Sequence, residues 1–173
     1  MKHSALTTPT IGDHVIYRQN GIYQISDIRT EVFPHSDPAI YFVLIPLSGE
    51  RTTVFLPQSR ANDPAFLRAP LTREEILRAK EESAGKRLDW ITDNRARGDA
   101  FKRMISEADP VKLLILYHTL CDKRKDDLKK KGKFGAVDER LLNEVRKTIF
   151  EEYTFVLRLT EDEVEEFITE TQC

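Results

Sequence analysis

Short runs of apolar and polar residues alternate along the first third of the chain, which is the pattern of β-strands. β-Branched and aromatic side chains favour extended backbone, and they are concentrated in residues 14–19, 22–29, 40–45 and 51–56. Turn-forming residues separate these runs. Asn20-Gly21 stands between the first two runs, and an Asn-Gly pair in that position is typical of a tight two-residue hairpin turn.

Four or five short antiparallel strands within about 50 residues bury a core by curling into a small barrel. We therefore predict an SH3-like or Tudor-like antiparallel β-barrel over residues 8–66. Six apolar residues of the runs are predicted to form its core: Ile16, Ile25, Val43, Leu44, Val54 and Leu56.

The apolar period changes from that of a strand to that of a helix near Pro70. Helical spacing then predicts helices after the capping-box sequence Thr72–Glu75, over 86–106, after Asp109-Pro110, over 138–157 and after Thr160. The predicted fold class is thus α+β. The barrel is followed by an all-α helical bundle of about five helices over residues 71–173.

The composition is that of a soluble protein with a modest core, since 40% of the 173 residues are hydrophobic and 32% are charged. No apolar run approaches the roughly 20 residues that a membrane-spanning helix needs. The first residues also lack the apolar centre of a signal peptide. Cys121 and Cys173 lie far apart without the spacing of metal ligands. We therefore expect reduced thiols in a cytoplasmic protein that does not enter a membrane.

Charge is distributed unevenly along the chain, although the formal net charge is only -2. Residues 84–133 hold 14 Lys and Arg against 8 Asp and Glu, whereas residues 134–173 hold 4 against 11. A basic segment of this kind either solvates a helix face or contacts phosphates. Charge alone leaves both interpretations open.

We find no residue pattern that indicates catalysis. The four histidines, which are His3, His14, His35 and His118, lie in different predicted elements and have no His partner four residues away. A glycine-rich phosphate loop and a Gly-x-Ser-x-Gly motif are also absent from the sequence. His118 lies in an apolar helical segment, which is more typical of a core histidine than of a ligand. We expect no enzymatic activity, no metal and no cofactor.

An ordered set of short motifs resembles the bacterial CarD/CdnL family and the RNA-polymerase-interacting domain of transcription-repair coupling factors. The motifs are Gly12-Asp13-x-Val15-x-Tyr17, Gly21-Ile22-x-x-Ile25, Tyr41-Phe42-Val43-Leu44, Thr53-Val54-Phe55-Leu56-Pro57, Leu67-Arg68 and an isolated Trp90. They extend from Gly12 to Trp90 in a chain of 173 residues. The resemblance implies a non-enzymatic transcription regulator with a polymerase-binding barrel and a DNA-contacting helical domain.

The resemblance also implies where polymerase would bind. In the family, basic residues of the barrel contact the β subunit of bacterial RNA polymerase, and an exposed strand edge is added to that subunit's sheet. Those basic positions correspond here to Glu31 and Phe55. The neighbouring Arg29 and Arg51 are expected to substitute for them, so the predicted polymerase-binding residues are Arg29, Arg51 and Phe55.

Trp90 is the only tryptophan of the chain and stands among charged residues. Composition alone favours a Trp packed in the helical core. The resemblance implies instead a wedge that enters the minor groove at the upstream edge of the melted promoter, with basic neighbours on phosphates. The predicted DNA-binding residues, which recognise no particular sequence, are Trp90, Arg87, Arg95, Arg97 and Lys102, and Arg103 extends the basic patch.

Three functions therefore remain open at the level of sequence. The favoured one is a CarD-like regulator, expected to be a monomer, that binds the polymerase β subunit and stabilises the open promoter complex. The second is an interaction adaptor that kept the barrel but lost DNA binding, which the acidic C-terminal part favours. The third is a small RNA-binding Tudor-like protein, which the neutral barrel disfavours.

Overall fold

The change of apolar period near Pro70 coincides with the boundary between two structural units. A computed structural model of the chain describes residues 9–18, 20–35, 37–49 and 52–169. The first unit reaches Leu71 and the second begins at Thr72. The first unit holds a β-sheet and the second holds helices, so the α+β class is confirmed.

The first unit is built on one antiparallel sheet of five strands: β1 (His14–Tyr17), β2 (Ile22–Glu31), β3 (Ala39–Pro46), β4 (Val54–Pro57) and β5 (Leu67–Arg68). Their order across the sheet is β4-β3-β2-β1-β5. A short helix, α1 (Gln58–Ala61), lies between β4 and β5. The first four strands form a meander, and the chain then returns so that β5 pairs with β1.

The sheet is open, whereas the sequence pattern predicted a closed barrel. β4 and β5 are its two edges, and no ladder joins them in the described part of the chain. Both edge strands are short, with four and two residues respectively. They therefore offer few main-chain groups with which to close a barrel.

The first hairpin differs in its connection from the tight turn that was predicted. Ile16 pairs with Ile22, and the main-chain N–H of Tyr17 donates to the carbonyl of Gly21 over 3.2 Å. The connection is therefore longer than two residues. Gly21 has a φ of 95°, a left-handed conformation that glycine adopts without a steric cost.

The core of the sheet unit is formed by apolar residues from all five strands and from α1: Val15, Tyr23, Ile25, Phe42, Leu44, Leu56, Ala61 and Leu67. Of the six predicted core residues, five are buried and Val54 is half-buried. Ile16 and Val43 are among the buried ones. Because successive side chains of a strand point to opposite faces, these two lie on the other face of the sheet from Val15 and Leu44. The centre of the sheet is therefore buried on both faces.

The second unit contains five helices in its described residues, as predicted. They are α2 (Arg73–Ser83), α3 (Asn94–Glu107), α4 (Pro110–Lys129), α5 (Ala136–Leu157) and α6 (Glu161–Thr169). The apolar stripe of α4 is buried as its spacing predicted, with Leu113, Leu116, Tyr117 and Leu120 in the interior. The hydroxyl of Tyr117 also binds the Glu165 carboxylate over 2.7 Å, which ties α4 to α6.

Local sequence signals set where three of these helices begin. The Thr72 hydroxyl accepts from the Glu75 N–H over 3.2 Å while Glu75 accepts from the Thr72 N–H over 2.8 Å, which forms the predicted capping box. Thr160 and Glu163 repeat this arrangement before α6. Asp109 caps α4, whose first residue is a proline.

The segment 86–106 was predicted to be helical, but α3 begins only at Asn94. Asp93 accepts a hydrogen bond from the Ala96 N–H over 2.7 Å and so caps the helix there. Residues 86–93 have no regular structure. Trp90 therefore lies in an irregular connection between α2 and α3. None of the helices in the described residues is long and apolar enough to cross a membrane.

Phe42→Ala should destabilise the sheet unit by about 3–5 kcal/mol, because it removes a ring that is 1% exposed and leaves a cavity. Amide hydrogen exchange of β2 and β3 measures this loss in the sheet unit separately. The control is Ile40→Ala on the same strand, where the side chain is 44% exposed and the expected cost is under about 0.5 kcal/mol. Equal costs for the two variants would contradict the described core.

Candidate functional site

Trp90 is half-buried in the connection between α2 and α3. Its ring meets that of Phe101 on α3 edge to face, with 6.2 Å between the centroids. The main chain just before it is tied to α4, because the Leu88 N–H donates to the Thr119 hydroxyl over 3.0 Å. The indole is thus supported from one side and still partly open to solvent.

Arg97 does not lie on the surface, which corrects the prediction that it contacts DNA. Its side chain is only 5% exposed and forms a two-pronged ion pair with Asp138 on α5, in which Nε and Nη2 each donate over 2.8 Å. Nη1 donates to the carbonyl of Ile91 over 2.7 Å, and Nη2 donates to Asn94 Oδ1 over 2.8 Å. These partners occupy the guanidinium, so it has no donor left for a phosphate.

Two cations face the indole of Trp90. The Arg97 Cζ atom lies 4.4 Å from the ring centroid and the Lys123 Nζ atom lies 5.4 Å from it. A cation over an indole face is attracted by the electron density of the ring. Lys123 is itself held by Asp127 one helical turn further along α4, over 2.5 Å. The position of Trp90 is therefore set by side chains from α3 and α4.

The other predicted DNA-binding residues fall into two groups. Arg87 is 28% exposed and anchored, since its Nε donates to Asp122 over 2.5 Å and its Nη1 donates to the Lys86 carbonyl. Arg95 and Lys102 are exposed on α3, and neither side chain forms a hydrogen bond or an ion pair among the described residues. They are seven positions apart, which puts them on the same side of the helix. Arg103 is exposed beside them.

The predicted polymerase-binding residues lie on the sheet unit. Arg29 is on β2, where Nε lies 2.6 Å from Oε1 of Glu31 in an ion pair and Nη1 donates to Asp27 over 3.4 Å. Its Cζ atom lies 5.6 Å from the ring centroid of Phe55 on the edge strand β4. Arg51 lies outside the described residues.

Phe55 belongs to a small group of aromatic rings on the same face. Phe33 meets it edge to face at 5.6 Å and meets Tyr41 at 5.1 Å. Phe33 is 37% exposed. Because two carboxylates partly neutralise Arg29, this surface presents mainly aromatic carbon and the edge of β4, which no other described strand pairs.

Sequence reasoning missed two residues of the Trp90 site, Lys123 and Asp138. Both lie in helices distant along the chain, and Asp138 is 41 positions from Arg97. No local pattern marks such a pair. In the described part of the chain, no three His, Cys, Asp or Glu side chains are grouped so as to hold a metal ion.

Comparison with known proteins gives no match: no protein-family model matches the chain, and no curated protein matches it. The relation to the CarD/CdnL family therefore remains a resemblance carried by the motifs quoted above. The function proposed below is argued from the side chains around Trp90 and from the edge of the sheet.

His118 is a buried titratable group on α4 close to this site. Burial lowers the pKa of its imidazole, and the nearby positive charge of Arg87 lowers it further, whereas Asp122 and Glu165 oppose the shift. The folded protein therefore keeps His118 neutral at a pH where the unfolded chain, with the ordinary pKa of 6.5, already binds a proton.

Proton uptake by the unfolded chain should make the helical unit less stable as the pH falls below about 6.5, by at most about 1.4 kcal/mol per pH unit from this group. Urea unfolding followed by the emission of Trp90 measures the stability at pH 7.5, 6.5 and 5.5. His118→Gln should reduce this dependence, and the control His35→Gln, at an exposed position, should keep it. An unchanged pH dependence in His118→Gln would contradict the prediction.

Proposed function

We propose that this protein is a CarD-like transcription regulator without enzymatic activity. Its sheet unit would bind the β subunit of bacterial RNA polymerase, and its helical unit would contact promoter DNA without reading sequence and stabilise the open complex. The observation that carries the proposal is the half-buried indole of Trp90 in an irregular segment, between cationic side chains. A cytoplasmic monomer is part of the same proposal.

The proposed DNA contact has two parts, an aromatic ring in the minor groove and exposed cations on the phosphates. Trp90 enters the distorted minor groove and offsets part of the cost of unstacking a base step. Arg95 and Lys102, exposed on one side of α3, bind phosphates. Phosphate contacts orient a protein on DNA but carry no sequence information. Arg97 is excluded from this set because its donors are occupied.

The proposed polymerase contact uses strand addition at β4. An edge strand has unpaired main-chain groups that an extended partner strand binds, while neighbouring pockets select its side chains. Phe55 on β4 and the adjacent Phe33 provide an apolar surface at this edge. Arg29 lies beside the rings but forms ion pairs with Asp27 and Glu31. The proposed polymerase contact is therefore mainly apolar.

The topology of the sheet unit supports its proposed relation to SH3-like and Tudor-like barrels. The supporting observation is the chain order, in which four strands form a meander, a helical turn follows, and a fifth strand returns to pair with β1. The sheet would then be an open variant in which β4 keeps its outer edge for a partner.

A protein-interaction adaptor without DNA binding is the alternative proposal. The acidic C-terminal part favours it, because α6 begins with Glu161, Asp162 and Glu163 and would repel a nearby phosphate backbone. The adaptor would bind polymerase or another protein through its sheet unit, and it differs from the first proposal in that the helical unit would not bind DNA.

Reversing the charge of Arg95 and Lys102 should weaken binding to DNA, because two phosphate contacts are lost. A plot of the logarithm of the DNA-binding constant against the logarithm of salt concentration has a negative slope. In the double variant Arg95→Glu, Lys102→Glu, this slope should become shallower by about 1.8, because two contacts are lost. Fluorescence anisotropy on a duplex with a short unpaired segment measures both affinity and slope. The matched control reverses Arg73 and Arg78, which are exposed on α2. Equal loss in both double variants would contradict a phosphate contact at Arg95 and Lys102, and a wild-type protein that does not bind the duplex would favour the adaptor.

Thermal melts, together with promoter-opening assays that contain RNA polymerase, distinguish a wedge from a core role for Trp90. Because the indole is half-buried, Trp90→Ala should cost less than the 3–5 kcal/mol or so of a fully buried aromatic residue. It should nevertheless shorten the lifetime of the open complex. A large loss of stability, with the lifetime unchanged while the variant remains folded, would contradict the wedge.

Phe55→Ser should weaken binding to the polymerase β subunit, because it removes the ring of the apolar surface that the edge strand β4 itself carries. Arg29→Glu should have a smaller effect, since Arg29 is already paired with two carboxylates. A pull-down from bacterial lysate probed for the β subunit measures both. The control for Arg29→Glu is Arg60→Glu, because Arg60 also lies over an aromatic ring, that of Phe66. Undiminished capture by Phe55→Ser would place the contact elsewhere.

A further inference from the structure

The Arg97 side chain makes more hydrogen bonds than would be needed only to pack it in the interior. Its five N–H groups point at Asp138 twice, at the carbonyls of Ile91 and Thr92, and at Asn94, with distances from 2.7 to 3.4 Å. The two carbonyls belong to the residues that directly follow Trp90. The guanidinium therefore binds the irregular segment itself and also lies against its indole.

The segment around Trp90 has few other main-chain ties. On its N-terminal side, the Leu88 N–H is bound by Thr119. On its C-terminal side, Asp93 caps α3. Between these two points, the carbonyls of Ile91 and Thr92 are held by Arg97. Asp138 in turn holds Arg97 from the first turn of α5.

We propose that Arg97 and Asp138 are positioning residues that set the orientation of Trp90 for DNA. This inference rests on the proposed role of Trp90 in contacting DNA. The pair links α5 to the segment 90–92, so that the indole is held in place before DNA arrives. Pre-organisation of this kind avoids the entropic cost of ordering a side chain during binding.

The geometry requires arginine in particular. A guanidinium has a planar fork that binds a carboxylate with two donors and still directs others elsewhere. A lysine has one compact ammonium group and would not bind Asp138 and the two carbonyls in this arrangement. Arg97→Lys therefore keeps the charge and loses the orientation.

The emission of the free protein tests the proposal directly, because Trp90 is the only tryptophan. In Arg97→Lys, we expect the emission maximum to shift to longer wavelength and the acrylamide quenching constant to rise. The matched control is Arg146→Lys. Arg146 likewise lies over an aromatic ring, 4.1 Å from the centroid of Phe150, and likewise pairs with a carboxylate, that of Glu161. The control should leave both emission values unchanged.

A second variant keeps the test decisive if Arg97→Lys does not fold. Arg97→Met combined with Asp138→Leu replaces the ion pair with apolar side chains, which in buried sites is often neutral for stability. This double variant should unfold near the wild-type temperature and still show increased quenching of Trp90. Wild-type emission and quenching in either folded variant would overturn the proposal.

A DNA titration separates this inference from the proposed function. Wild-type Trp90 emission should change when a duplex with a short unpaired segment is added, and the folded double variant should bind that DNA more weakly. If the variants release Trp90 but DNA never changes its emission, the positioning pair stands and the DNA role of Trp90 fails. If DNA changes the emission equally in the wild type and both variants, the positioning role is overturned.

Discussion

The buried ion pair between Arg97 and Asp138 is the interaction on which the arrangement of the helical unit around Trp90 depends. Burying two charges has a large desolvation cost, and only good geometry with further hydrogen bonds offsets it. Here the carboxylate accepts two donors, and two carbonyls and an amide oxygen accept the others. Removing one partner would leave an uncompensated buried charge, at a cost of about 3–5 kcal/mol. The pair therefore connects α3, α5 and the irregular segment 90–92.

The two proposed contact surfaces differ in their physical character. On α3 the exposed side chains of Arg95 and Lys102 form no ion pair among the described residues, so a phosphate would meet charges that no such pair already occupies. On the sheet, Arg29 is shared by Asp27 and Glu31 and stands beside aromatic rings. Binding at the first surface should weaken with salt, because counterions are released. Binding at the second should depend on apolar burial and on main-chain pairing at β4.

The departures from the CarD/CdnL pattern acquire a physical meaning in this arrangement. The family's basic positions are Glu31 and Phe55 in this chain. Glu31 binds Arg29 over 2.6 Å, and Phe55 packs with Phe33. Under the proposed resemblance the two residues would act together, since Glu31 reduces the free positive charge of Arg29 and Phe55 enlarges the apolar surface. A polymerase contact through this face would exchange part of the family's electrostatic attraction for aromatic packing.

Sequence alone determined the features that depend on near neighbours. The change of apolar period separated strands from helices, and the caps at Thr72, Asp109 and Thr160 depend on groups two or three residues away. Only the tertiary structure decided that the sheet stays open and that Arg97 is buried. Arg95 and Arg97 look alike in sequence, but Asp138, 41 positions from Arg97, pairs with only one of them. Burial and pairing depend on contacts between distant segments, and local pattern does not encode those contacts.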